Sequence, residues 1–128
     1  MGIQMAKYVD GFVLPIPKKN IEAYKKIAKL AAKVWMGYGA LDYVECMADD
    51  VKPGKTASFP LSVKLKKNEV VFFSWITYKS KRDRDRIVKK VMADPRLSGM
   101  TSMPFDMTRM IYGGFQPVVS AGISAAKA

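Results

Sequence analysis

The run Val70 to Tyr78 (VVFFSWITY) constrains the fold of this chain more than any other stretch. It is almost wholly apolar and rich in β-branched and aromatic residues, so it reads as a strand buried on both faces. Such a strand needs a layer of structure above it and another below. The rest of the sequence has to supply both.

Upstream, Tyr8 to Leu14 has strand character and meets Pro15 and Pro17, which cannot donate to a ladder and are expected to stop it. From Lys18 to Tyr38, Ile21, Tyr24, Ile27, Ala28, Ala31, Val34, Trp35 and Tyr38 recur at three- and four-residue steps among lysines, which predicts an amphipathic helix with a basic outer face. Gly39 suits a left-handed cap. Leu41 to Met47 alternates as a second strand, with Tyr43, Glu45 and Met47 on one face and Asp42, Val44 and Cys46 on the other. Asp49 to Gly54 reads as a turn. In Lys55 to Glu69, the alternation of Phe59, Leu61, Val63 and Leu65 around Pro60 leaves a short ribbon or a packed loop open.

Beyond the central run, Ser80 and Asp83 form a variant capping box before a helix with Ile87, Val88, Val91 and Met92 on one face, ended by Asp94 and Pro95. A Met-, Ser- and Pro-rich loop leads to a last strand, Arg109 to Phe115, whose Gly113-Gly114 pair is read as a bulge. The tail after Pro117 is expected to fray. The order strand, helix, strand, strand, helix, strand predicts an α+β, ferredoxin-like βαββαβ unit, an antiparallel sheet with two helices on one face. One domain is expected over residues 1–128, with its core at about 7–117. The uncovered sheet face would expose too much apolar surface for a monomer, which predicts a homodimer.

Composition narrows the chemistry. The chain has no histidine and one cysteine, Cys46, which removes imidazole bases, Ser-His and Cys-His nucleophiles, structural zinc and any intrachain disulfide. Cys46 itself is read as a small buried hydrophobe. No metal and no cofactor is expected, and catalysis would rest on carboxylates, Tyr, Lys, Arg or Cys46. No signal peptide or spanning segment is visible, which with the lone thiol predicts a cytoplasmic protein without a membrane partner. The formal charge of +11 attracts polyanions in general, but it lacks aromatic interleaving or a nucleic-acid motif, so no specific nucleic acid is expected.

Asp10 and Glu45 each interrupt an apolar strand, where an unpaired charge is costly. They are the candidate acid or base residues. The competing reading is a structural ion pair, with Arg109 or Lys7 as partner. Trp35, Tyr43, Phe59, Trp75, Met110 and Tyr112, with Arg109, are candidate pocket residues for a small-molecule ligand between the first helix and the sheet. For most of them ordinary core packing is the favoured reading.

The blocks YVDGFVLPIPKKN at 8–20, GALDYVECMADDVKPGK at 39–55, VVFFSWITYKS at 70–80, VMADPRL at 91–97, MPFD at 103–106 and RMIYGGF at 109–115 resemble the YbaA-like family of uncharacterised bacterial proteins (domain of unknown function 1428). The resemblance implies the dimeric α/β-barrel group, a homodimer in which two ferredoxin-like sheets face one another, and it carries over no catalytic residue. In that barrel Glu45, Tyr43 and Met47 are expected to point inward, with Val44 and Cys46 beneath the helices. Three readings stay open: a small-molecule enzyme or ligand binder, by analogy with cofactor-independent oxygenases and isomerases of that fold; a noncatalytic dimeric binding or regulatory protein; and a basic nucleic-acid-associated protein.

Overall fold

The computed structural model describes residues 7–100 and 102–122. The extension before Lys7 lies outside the described residues. Of the tail expected to fray, 118–122 are described, with Val118 and Val119 exposed.

The chain runs β1 (Tyr8–Pro17), a 3-10 turn (Lys18–Asn20), α1 (Ile21–Gly37), β2 (Asp42–Met47), α2 (Phe59–Ser62), β3 (Glu69–Tyr78), α3 (Lys81–Ala93), α4 (Pro95–Ser98), a second 3-10 turn (Met107–Arg109) and β4 (Ile111–Phe115). All neighbouring strands are antiparallel, in the order β2-β3-β1-β4. This is the expected α+β ferredoxin-like arrangement. The stretch read as a ribbon or packed loop instead winds into the single turn of α2, capped by the Ser58 hydroxyl, which accepts from the Leu61 N–H at 3.1 Å.

Pro15 and Pro17 do not stop β1, which pairs with β3 as far as Pro17 opposite Glu69. Lys18 donates its N–H to Asn68 O at 2.9 Å on the β3 side, so alternation turns odd-numbered residues toward β4. There β4 reaches only Val13, and the missing donors of the two prolines face no strand. The Gly113-Gly114 bulge is also overturned. Gly113 and Gly114 pair one to one with Gly11 and Asp10. Gly114 answers a close approach instead, since a Cβ there would lie 2.8 Å from Cζ of the Tyr8 ring.

α1 buries Tyr24, Ala28, Ala31 and Val34 along one stripe, and Gly39 reverses the chain at φ +113°. The Ser80 hydroxyl accepts from the Asp83 N–H at 3.0 Å, an N-cap contributing about 1 kcal/mol, and α3 buries Ile87 and Val91. The core falls into two clusters. One joins Val34, Ala40, Ile76, Tyr78, Ile87 and Val91; the other joins Leu14, Ile16, Tyr24, Ala28 and Phe72. Both lie between sheet and helices. The far face of β3 is covered only in part by the described residues: Val71 is buried, near Val51 and Phe59, but Phe73 is 41% exposed, with Ile111 at 45% and Phe115 at 63% nearby, so the strand is not covered on both faces along its length. No helix among the described residues is long and apolar enough to cross a membrane.

Candidate functional site

Register decides which way Glu45 points. Tyr43, Glu45 and Met47 stand opposite Ile76, Ser74 and Phe72, and Ile76 and Phe72 belong to the helix-side core. The three β2 residues therefore face α1, while Val44 and Cys46 share the open face with Trp75 and Phe73. This reverses the expected orientation. Cys46, read as buried, is exposed there.

Under α1 the Glu45 carboxylate accepts from the Tyr24 hydroxyl, which lies 2.9 Å from both Oε1 and Oε2, and from the Tyr43 hydroxyl at 3.0 Å on Oε2. Ser74, its cross-strand partner, adds a further polar neighbour. No cation pairs with it among the described residues, so the expected Arg109 bridge is absent. Burial pushes the Glu45 carboxyl above its ordinary value, and the hydroxyls of Tyr24, Tyr43 and Ser74 pull it only partly back. Burial first, and then the adjacent carboxylate, hold Tyr24 and Tyr43 far above the usual phenol range. Both stay protonated donors.

Beside this cluster lies a cavity of about 170 Å³, where the two core clusters fail to meet. Its space comes from small side chains, Ala28 and Ala31 on α1 and Ser74 on β3, and its walls include Phe12, Leu14, Trp35 and Met110. The segment 103–110 closes one side with Met103, Phe105 and Met107. Asn20 donates to Pro104 O at 2.9 Å and ties that segment to the start of α1. A cavity this size takes about one six-membered ring.

The other candidates separate. Asp10 is buried and pairs with Arg84 Nη1 at 2.9 Å, while the Tyr78 hydroxyl donates to its Oδ2 at 2.9 Å; neither Arg109 nor Lys7 is its partner. Burial raises the Asp10 carboxyl, and the Tyr78 hydrogen bond and Arg84 charge offset this only in part. Trp35 donates to the Tyr78 hydroxyl at 3.1 Å, which joins the cavity wall to that pair. Arg109 stands in a different corner, gripping Glu69 at 2.6 Å and Asp106 at 2.9 Å. Its hydrogen bonds hold the Glu69 carboxyl below the ordinary range. Phe59 packs on Phe73 at 5.7 Å on the open side. Trp75, 5.8 Å from Phe73, borders both spaces. Tyr112 is exposed over Phe12 at 6.1 Å.

Thus Glu45, Tyr43 and Trp35 come together, while Phe59, Tyr112, Arg109 and Asp10 do not join them. Sequence reasoning placed Tyr24 on the helix face without a role, and it passed over Ser74 and Arg84. A buried tyrosine needs a partner for its hydroxyl, and a serine in an apolar strand marks a polar spot; both signals were present.

The profile of the family described as Protein of unknown function (DUF1428) matches residues 7–107. The Uncharacterized protein YbaA of Escherichia coli (strain K12) is 49% identical over 114 residues, covering 88% of this chain and 97% of that protein. YbaA of Shigella flexneri gives the same figures. Among solved structures, a dimeric ferredoxin-like protein from an uncultured marine organism matches with a TM-score of 0.57 at 10% identity, over 91% of this chain and 99% of that one. At that identity the likeness establishes the fold.

Proposed function

Starting from a chain that belongs to the DUF1428 family, we propose that the protein is a cytoplasmic homodimer, each protomer of which binds one small, mainly apolar molecule in the cavity under α1, with Glu45 accepting a hydrogen bond or proton from it. One observation carries this reading. Glu45 is a carboxylate held by hydroxyls alone at the wall of an apolar space, whereas Asp10 and Glu69 are each matched to an arginine. A group whose only role is structural gains by having a charge partner; one that is positioned, desolvated and left without a cation is kept available for a ligand.

The test is a titration with phenol, a single ring bearing one donor, followed by NMR. The Trp35 indole N–H is expected to shift saturably. Ala31→Leu, which fills the cavity, abolishes the shift, and Glu45→Gln weakens binding about tenfold, the worth of a hydrogen bond to a charged group. Shifts confined to Trp75, or binding that survives Ala31→Leu, would overturn the assignment.

Support for the dimer comes from the open sheet face, where Val9, Val13, Phe73, Ile111 and Phe115 border a trough of about 680 Å³, and from the dimeric state of the ferredoxin-like structure. Light scattering is expected to give twice the 14.3 kDa chain mass, and Ile111→Lys to give the monomer.

A further inference from the structure

Resting on the cavity reading, we propose that the ligand is a small ring-bearing anion, its ring in the cavity and its anionic group in a lysine-lined groove outside. The groove runs between the first half of α1 and the edge strand β2 and measures about 670 Å³. It shares Ala28, Tyr43 and Glu45 with the cavity, so the polar end of the cavity opens into it. Four lysines line it: Lys18 and Lys19 from the 3-10 turn, Lys25 and Lys29 one helical turn apart on α1. Against them stand Glu22, which meets Lys25 at 3.4 Å, and Glu45 itself. Lys18, Lys19 and Lys29 have no ion-pair partner among the described residues.

The geometry sorts a ligand by parts. The cavity admits about one ring and offers it almost entirely apolar walls, so a charge cannot go in. Glu45 at the boundary repels an anion close to it. The lysines therefore set where a negative group rests, outside Glu45 and beside the helix. A neutral ligand would use the cavity and leave the groove's charge without effect. An amine would be repelled by the lysines before it reached Glu45.

Two probes of matching shape, phenylacetate and 2-phenylethanol, test this by titration at about 25 mM and about 150 mM salt, with the Trp35 indole N–H as the cavity signal. Phenylacetate, which lacks the hydroxyl that 2-phenylethanol offers Glu45, is still expected to bind severalfold tighter at low salt, with the gap closing at the higher salt, as for exposed charges. Lys25→Gln with Lys29→Gln should remove most of the gap and leave 2-phenylethanol unaffected. Lys33→Gln, on the same helix but outside the groove, should leave the gap intact, which separates the groove from the general +11 charge. If 2-phenylethanol shifts Trp35 and phenylacetate binds no tighter, or if Lys33→Gln closes the gap as well, the anion inference is overturned and the cavity stands. If neither probe moves Trp35, the cavity reading falls and takes this inference with it.

Discussion

Two parts of one sheet treat a carboxylate set among apolar residues in opposite ways. At Asp10 and Glu69 an arginine closes on the acid at 2.9 and 2.6 Å, and the two charges are matched inside the fold. At Glu45 the acid meets only tyrosine and serine hydroxyls, at the wall of an apolar cavity. The arginine pairs tie α3 to β1 and the segment before β4 to the start of β3, so their loss is expected to read out as stability. Glu45 ties α1 to β2 through neutral donors, and its loss is expected to read out as binding.

The largest effect belongs to the paired region. Asp10→Asn leaves the Arg84 guanidinium with only the exposed Asp85 carboxylate, 2.9 Å from its Nε, as counter-charge, at a cost of about 1 to 3 kcal/mol, below the usual range for a broken buried pair because Asp85 remains and Arg84 keeps some contact with water. Arg84→Met strands Asp10 in the same way. The double variant should recover much of the loss, and urea unfolding of the four proteins completes the cycle. A neutral Asp10→Asn would erase the contrast with Glu45. A second cycle, Glu45→Gln with Arg109→Met, should be additive, because the two share no partner, whereas Glu69→Gln with Arg109→Met should couple strongly.

Next comes pH, where the two glutamates should move stability in opposite directions. The folded value of Glu69 is depressed, so its contribution is present above the ordinary value near 4.5 and is lost as pH falls through the folded value. Glu69→Gln therefore carries a deficit at pH 7 that fades on acidification. The folded value of Glu45 is raised, so its contribution is complete below 4.5 and is lost as pH rises through the folded value. Glu45→Gln should match the parent at pH 4 and equal or exceed it by up to about 1 kcal/mol at pH 7. Melts at pH 4, 5.5 and 7 decide it. Parallel curves would mean that both acids are structural.

What the sequence revealed follows from what a residue pattern can carry. The strand order, the Ser80 cap and the Gly39 reversal were legible because each rests on local chemistry. Alternation showed that Tyr43, Glu45 and Met47 share a face, yet it has two solutions and cannot say which face meets the helices. Only pairing with Ile76, Ser74 and Phe72 resolves that, and the orientation was accordingly inverted. Asp10 and Glu45 stood out as charges in apolar strands, but the partner was sought at Arg109 or Lys7, and Arg84 comes to Asp10 only through the packing of α3 on the sheet. The prolines of β1 mislead for a related reason, because their cost depends on where β4 ends. The cavity was the least legible. It is a shortage of volume at Ala28, Ala31 and Ser74, which arises only where α1 and the sheet are packed together.

The smallest expected effect tests whether the hydroxyls hold Glu45 as described. Tyr24 lies 2.9 Å from both carboxylate oxygens, while Tyr43 reaches Oε2 alone at 3.0 Å. Tyr24→Phe keeps the ring, which packs edge-to-face on Phe72 at 5.3 Å and on Phe105 at 5.7 Å, and removes only the donor. Losing a donor to an anion raises the carboxyl further, so the Glu45 side-chain carbon should titrate at higher pH in both phenylalanine variants, more so in Tyr24→Phe. Stability should fall by about 0.5 to 1.5 kcal/mol at pH 7 and by less at pH 4, where the protonated acid needs the donors less. A cation hidden near Glu45 would make both substitutions nearly silent, because its charge and not the hydroxyls would set the titration. Equal shifts in the two variants would mean that the Tyr24 contact to the second oxygen contributes nothing. A larger shift in Tyr24→Phe confirms that α1 holds the carboxylate from above, which ties the cavity's polar end to the helix that roofs it.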